Sequence, residues 1–76
     1  MYITKMDGII QRLCDIANLD EIKKIPAIKL PIKEMIFYLE NKIYEYDSVL
    51  GLTNDSATLY MRFRSQDCLT YLKKVQ

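Results

Sequence analysis

The chain has 76 residues, half of them apolar and 28% charged, with two Gly, two Pro and two Cys. That is enough for one compact soluble domain and too little for two. A formal charge of +1 gives no steering toward nucleic acid, and the absence of His beside only two Cys removes most routes to a metal site or to acid–base catalysis at neutral pH.

The longest uncharged run is the seven residues from Ser48 to Asn54, against about 18–20 apolar residues for a membrane span, so no transmembrane helix is expected. Asp7 falls where a signal peptide would begin its apolar stretch, so no secretion signal is read and a cytoplasmic setting is expected. In that setting Cys14 and Cys68, both on apolar stripes, are expected to be reduced and buried, with a Cys14–Cys68 disulfide as the alternative.

Thr4 can cap a helix whose first turn holds Asp7, and a very short strand at Tyr2 to Thr4 is an option before it. Met6, Ile9, Ile10, Leu13, Cys14 and Ala17 then recur at three- and four-residue spacing, which predicts a helix over about 5–18 that Gly8 weakens near its start. Asn18 with Glu21 has capping-box spacing and predicts a short helix from Leu19 to Ile25, stopped before Pro26. Pro26 and Pro31 bound a short extended connector.

Pro31 suits the first turn of a long helix. There Ile32, Met35, Ile36, Leu39, Ile43 and Tyr46 form one apolar stripe, and Phe37 with Tyr44 a second. A helix apolar on two sides lies between layers or meets another chain. From Thr58 to Arg64 the pattern alternates, with Leu59, Met61 and Phe63 on one side and Thr58, Tyr60, Arg62 and Arg64 on the other, as in a half-buried strand. With Thr53-Asn54-Asp55-Ser56 as its turn, Val49 to Thr53 becomes the first arm of a hairpin, unless Gly51 ends an extended second helix. Ser65 can then cap a last helix carrying Cys68, Leu69, Leu72 and Val75, with Lys73 and Lys74 at its C-terminal end.

The fold class expected from this order is α+β: a small single domain with helices packed on a C-terminal β-hairpin, followed by a terminal helix. The alternative is an all-α three- or four-helix bundle in which residues 55–75 form one helix capped by Asp55 or Ser56. If Tyr2 to Thr4 counts as a strand and the long helix is set against the hairpin, the order begins to resemble that of type I KH domains, but their RNA-clamping GxxG loop has no counterpart, since no Gly occurs between Ile9 and Leu50. No family resemblance is drawn.

Catalysis is not expected. Without His, a Ser or Cys nucleophile would need a Lys or a displaced carboxylate as base, and no nucleophile elbow, Walker A loop or dinucleotide fingerprint occurs. Carboxylate pairs such as Asp20-Glu21, or Glu40 with Asp47, are what solvated helix faces and caps produce, and no calcium loop is present. No cofactor and no metal are expected.

Two candidate surfaces remain. Tyr60, Arg62 and Arg64 on the outer side of the 58–64 strand combine a stacking ring with guanidinium groups, the chemistry of single-stranded nucleic-acid binding. They lie in a segment, 56–76, of local charge +3 that follows one of −3 over 31–55. Read blandly, the ring packs as an ordinary cross-strand residue while the arginines stay solvated or pair with Glu40, Glu45 or Asp47. Phe37 and Tyr44, with Tyr38 beside them, form an aromatic patch suited to a protein interface, unless flanking helices absorb both stripes. The functional expectation is a small non-enzymatic interaction or regulatory module, partnered by another protein or by a second copy of itself as a dimer. A viral or mobile-element regulator would fit, and a single-stranded nucleic-acid-binding module is the alternative.

Overall fold

The computed structural model describes residues 5–16 and 18–76. The Tyr2 to Thr4 strand, the Thr4 cap and the place of Ala17 lie outside the described residues, as do the side chains of Met6, Asp7 and Ile9. Four α-helices are described: α1 (Lys5–Ile16), α2 (Leu19–Lys24), α3 (Ile32–Leu50) and α4 (Ser56–Val75), with a 3₁₀ turn at Ala27–Lys29 between α2 and α3.

The protein is therefore a small all-helical domain, which corrects the α+β expectation and agrees with the bundle alternative. Among the described residues there is no strand, and residues 58–64 lie within the first three turns of α4. Local chemistry starts that helix early: Asp55 accepts from Ala57 N at 3.2 Å and from the Thr58 hydroxyl at 2.7 Å, so the supposed turn is an N-cap. The alternation inside 58–64 is a fragment of a helical pattern. Met61 belongs to a stripe that continues through Ser65, Cys68, Leu69 and Leu72, all four buried, while Leu59 and Phe63, four apart, share the outer side. Ser65 consequently caps nothing and lies mid-helix.

Other boundaries fall close to the sequence signals. Asn18 caps α2, its Oδ1 accepting from Asp20 N at 3.1 Å and Glu21 N at 3.4 Å. The connector is not extended throughout, because Lys29 N and Leu30 N donate back to Pro26 O and Ala27 O and close the 3₁₀ turn. Pro31 stands just before α3, where its carbonyl accepts from Met35 N at 3.0 Å. Gly51 ends α3 as the alternative to a hairpin arm had it, in an ordinary right-handed conformation and not the left-handed one common for glycine there.

α3 and α4 run antiparallel as a helical hairpin, the dominant packing of the fold. α1 leans on α3 and α2 on α4, so both short helices cover the same side of the hairpin. The result is a slab of two helical layers, 38 × 30 × 17 Å across its Cα atoms. Between the layers lies the core: Ile10 and Cys14 from α1, Ile22 from α2, Leu30, then Met35, Leu39 and Ile43 from α3, and Cys68, Leu69 and Leu72 from α4. No helix is long and apolar enough to cross a membrane among the described residues.

Candidate interaction face

The first stripe of α3 meets that core, with Met35 and Leu39 fully covered and Ile32 and Ile36 packed at its edge. The second does not. Phe37 is 72% exposed and Tyr44 75% exposed, so no neighbouring helix absorbs them. Seven positions apart, they stand two turns from each other on the outward side of α3. The polar residues near them fold back onto the helix: Asn41 Nδ2 donates to Phe37 O at 2.9 Å and Ser48 Oγ to Tyr44 O at 3.1 Å. Those bonds hold the two short side chains down, so the rings project together with the exposed charged side chains of Lys33 and Glu40 on the same side.

Tyr38 is separated from this pair. One residue on from Phe37, it is rotated by about 100° toward α1. There it packs against the core edge and its hydroxyl donates to Asp15 Oδ1 at 2.8 Å. Partial burial and that carboxylate push its ionisation well above the usual tyrosine range. Lys42 sits 5.6 Å from its ring centroid while also pairing with Glu45 at 3.8 Å. Tyr38 fastens α1 to α3 and is not part of the outward patch.

The second candidate set is also divided. Tyr60 and Arg64, four apart on α4, are stacked with the guanidinium carbon 5.4 Å from the ring centroid. Both line a polar cleft of about 310 Å³ that includes Asn18, Leu19, Asp20 and Asp67, so the basic group there shares its surroundings with two carboxylates. Arg62 points elsewhere, to Asp47 on α3, with a hydrogen bond from Nε to Oδ1 and Nη2 3.5 Å from Oδ2. This bond raises the guanidinium's pKa further. The shared strand surface that would have presented Tyr60, Arg62 and Arg64 together is not formed.

Sequence reasoning overlooked two features. Leu59 and Phe63 are exposed on the outer side of α4, and Leu52 in the α3–α4 link is 88% exposed. The four-residue spacing of Leu59 and Phe63 is the signal that would have placed them outside, had 58–64 been read with a helical period. Beside the outward patch, Glu40, Ile43, Tyr44 and Asp47 of α3 face Gln66 and Leu69 of α4 across a shallow cleft of about 280 Å³. No described element covers that side of the hairpin.

Cys14 and Cys68 are free thiols and both are buried. Burial, first of all, together with nearby Cys68 and Asp15, pushes the Cys14 thiol up to about 12, and burial raises Cys68 as well. Neutral, covered thiols of this kind act as small hydrophobes and are poor nucleophiles. Compared with known proteins, the chain matches no family model, no curated sequence and no solved structure.

Proposed function

We propose that this chain is a non-enzymatic protein-binding module that docks through the outward side of α3, with Phe37 and Tyr44 as its anchors. The observation that carries the reading is that these two rings remain 72% and 75% exposed while Met35, Leu39 and Ile43 on the other stripe of the same helix are buried. Aromatic side chains are the usual anchors of protein interfaces because they exclude much water at a small cost in conformational entropy. Such a module acts by occupancy, covering a surface of its partner or holding it in place. The buried neutral thiols suit a reducing compartment, so the cytoplasm is its proposed location.

A photoreactive phenylalanine analogue placed at position 37 in cells tests this. It is expected to give protein adducts of discrete mass that disappear when Tyr44→Ser is added, while the same analogue at exposed Lys73 gives none. Absence of adducts at position 37, or adducts indifferent to Tyr44→Ser, would overturn the reading.

A further inference from the structure

We infer that one end of the bundle, where six lysines gather with Ile28, is a contact for the surface of an anionic lipid bilayer. It is separate from the proposed docking role of Phe37 and Tyr44 and does not depend on it. The topology brings the charges together. α3 and α4 are antiparallel, so the first turn of α3, with Lys33, shares an end with the last turn of α4, with Lys73 and Lys74. α2 runs along α4 in the same direction: Leu19 and Asp20 line a cleft with Tyr60 and Arg64, and further on the Lys23 ammonium lies 5.6 Å from the Tyr71 ring centroid. Lys23 and Lys24 in the last turn of α2 therefore reach the same end, and the 3₁₀ turn leading from there to α3 adds Lys29. All six are exposed, and among the described residues none has a carboxylate partner. Across 22–38 and 68–76, the segments that build this end, the six lysines stand against one carboxylate side chain, Glu34.

Helix chemistry accounts for part of this cluster, since lysines in the last turns of α2 and α4 suit the negative ends of those helices. It does not account for Lys33, which stands in the first turn of α3 where a cation is unfavourable, nor for Lys29 in a single 3₁₀ turn. Ile28 selects the ligand. It is 94% exposed in the turn between Lys24 and Lys29, apolar surface that a phosphate backbone alone would leave in water. A nucleic acid would use arginine forks or an open ring, but Arg62 is bound to Asp47, Arg64 stacks on Tyr60, and the Tyr71 ring has Lys23 over it. A bilayer takes both features: an aliphatic side chain enters the boundary of the acyl region while flexible lysines reach the anionic groups above it. Anionic lipid is concentrated in the cytoplasmic leaflet, in keeping with the proposed location. The near-neutral total charge does not cancel the attraction. α3, 19 residues long, spans about 28 Å, so Glu45, Asp47 and Asp55 toward its far end lie beyond the roughly 10 Å screening length of 0.1 M salt.

Co-sedimentation with large unilamellar vesicles of phosphatidylcholine, alone or with about 30% phosphatidylserine, tests the inference. The chain is expected to partition onto the anionic vesicles at about 0.1 M salt, to be released at about 0.5 M, and to bind the neutral ones at least about tenfold less. Lys29→Ala combined with Lys33→Ala lowers the partition about twentyfold, at about fivefold for each lysine near the surface. Lys42→Ala, which removes a positive charge away from that end, lowers it by less than about twofold. Ile28→Ser keeps every charge and lowers it about fivefold through lost apolar burial. Far-ultraviolet circular dichroism is expected to be unchanged for Ile28→Ser and for the Lys29 and Lys33 variant, because all three side chains are exposed. Equal binding to both kinds of vesicle, no binding to the anionic ones, or an unchanged partition for Ile28→Ser overturns the inference. A loss from Lys42→Ala as large as that from Lys29→Ala alone overturns it as well. Capture of a single-stranded oligonucleotide without vesicle binding would also overturn it and make the lysines a nucleic-acid contact, and none of these outcomes bears on Phe37 and Tyr44.

Discussion

On α3, Met35, Leu39 and Ile43 face the core and are covered, while Phe37 and Tyr44, interleaved with them in the chain, face outward and are not. Apolar character does not separate the two sets. Phase does: α1 and α2 are both short and both lie on one side of the α3–α4 hairpin. A slab two helices thick has one inner surface, and a central helix that is apolar on two sides keeps one of them for something else. Small size enforces this, since a chain of this length buries only about 60% of the surface its unfolded form exposes.

The widest separation between the two sides should appear in stability. Leu39→Ala opens a cavity in the core and is expected to cost about 2–5 kcal/mol. That is a large share of the roughly 4–11 kcal/mol that 76 residues commonly provide. Phe37→Ala is expected to change monomer stability by less than about 0.5 kcal/mol, as surface substitutions do. Urea unfolding at low micromolar concentration measures both. Similar losses at the two positions would break the comparison and mean that Phe37 is packed.

Alkaline pH should sharpen it, because the thiols and the phenol whose pKa values are raised, Cys14, Cys68 and Tyr38, belong to the inner side. In each case the fold favours the neutral form, so the unfolded chain ionises first. The contribution is complete below the unfolded pKa and is lost as pH rises through the folded one. For Cys14 the window runs from 9.0 to about 12, and the loss across it is at most about 4 kcal/mol. Urea midpoints are expected to fall steadily above pH 9, and Cys14→Ala, although less stable at neutral pH, is expected to flatten that fall. Phe37→Ala should leave the slope as it is. A Cys14→Ala variant with the wild-type slope would show that the thiol does not drive it.

Much of the inner side was legible in the sequence because it depends on short-range signals. Asn18 and Glu21 placed α2, Pro31 placed the start of α3, and three- and four-residue spacing picked out Met35, Leu39 and Ile43. Phe37 and Tyr44 were legible as a second stripe, but only the arrangement of the other helices showed that it stays open. Tyr38 was misplaced because adjacency in the chain was taken for adjacency on the surface, although one step along a helix turns a side chain by about 100°. The strand at 58–64 came from the same kind of local reading: over seven residues an alternating pattern and half of a helical stripe look alike. Extending the window to Leu72 separates them. Asp55 carried the correct signal, an N-cap, but turn-forming and helix-capping residues are drawn from the same set.

Ser65 provides the smallest effect and the finest test of how the inner surface is packed. It is 1% exposed in the middle of α4, and its hydroxyl has no hydrogen-bond partner among the described residues. A buried hydroxyl without a partner costs on the order of 1–3 kcal/mol of desolvation, and serine is also a weaker helix former than alanine by a few tenths. Against this, Ser65→Ala removes a single oxygen and leaves a void smaller than a methyl group. The desolvation and propensity gains outweigh the lost contacts, so Ser65→Ala is expected to stabilise the chain by about 1 kcal/mol. The readout is a higher urea midpoint with an unchanged slope against denaturant. An unchanged or lower midpoint would mean that the hydroxyl is satisfied in solution and that the close approach of α4 to its neighbours carries no polar penalty. Either way the change is confined to the inner side, and cross-linking through position 37 on the outward face should not respond to it.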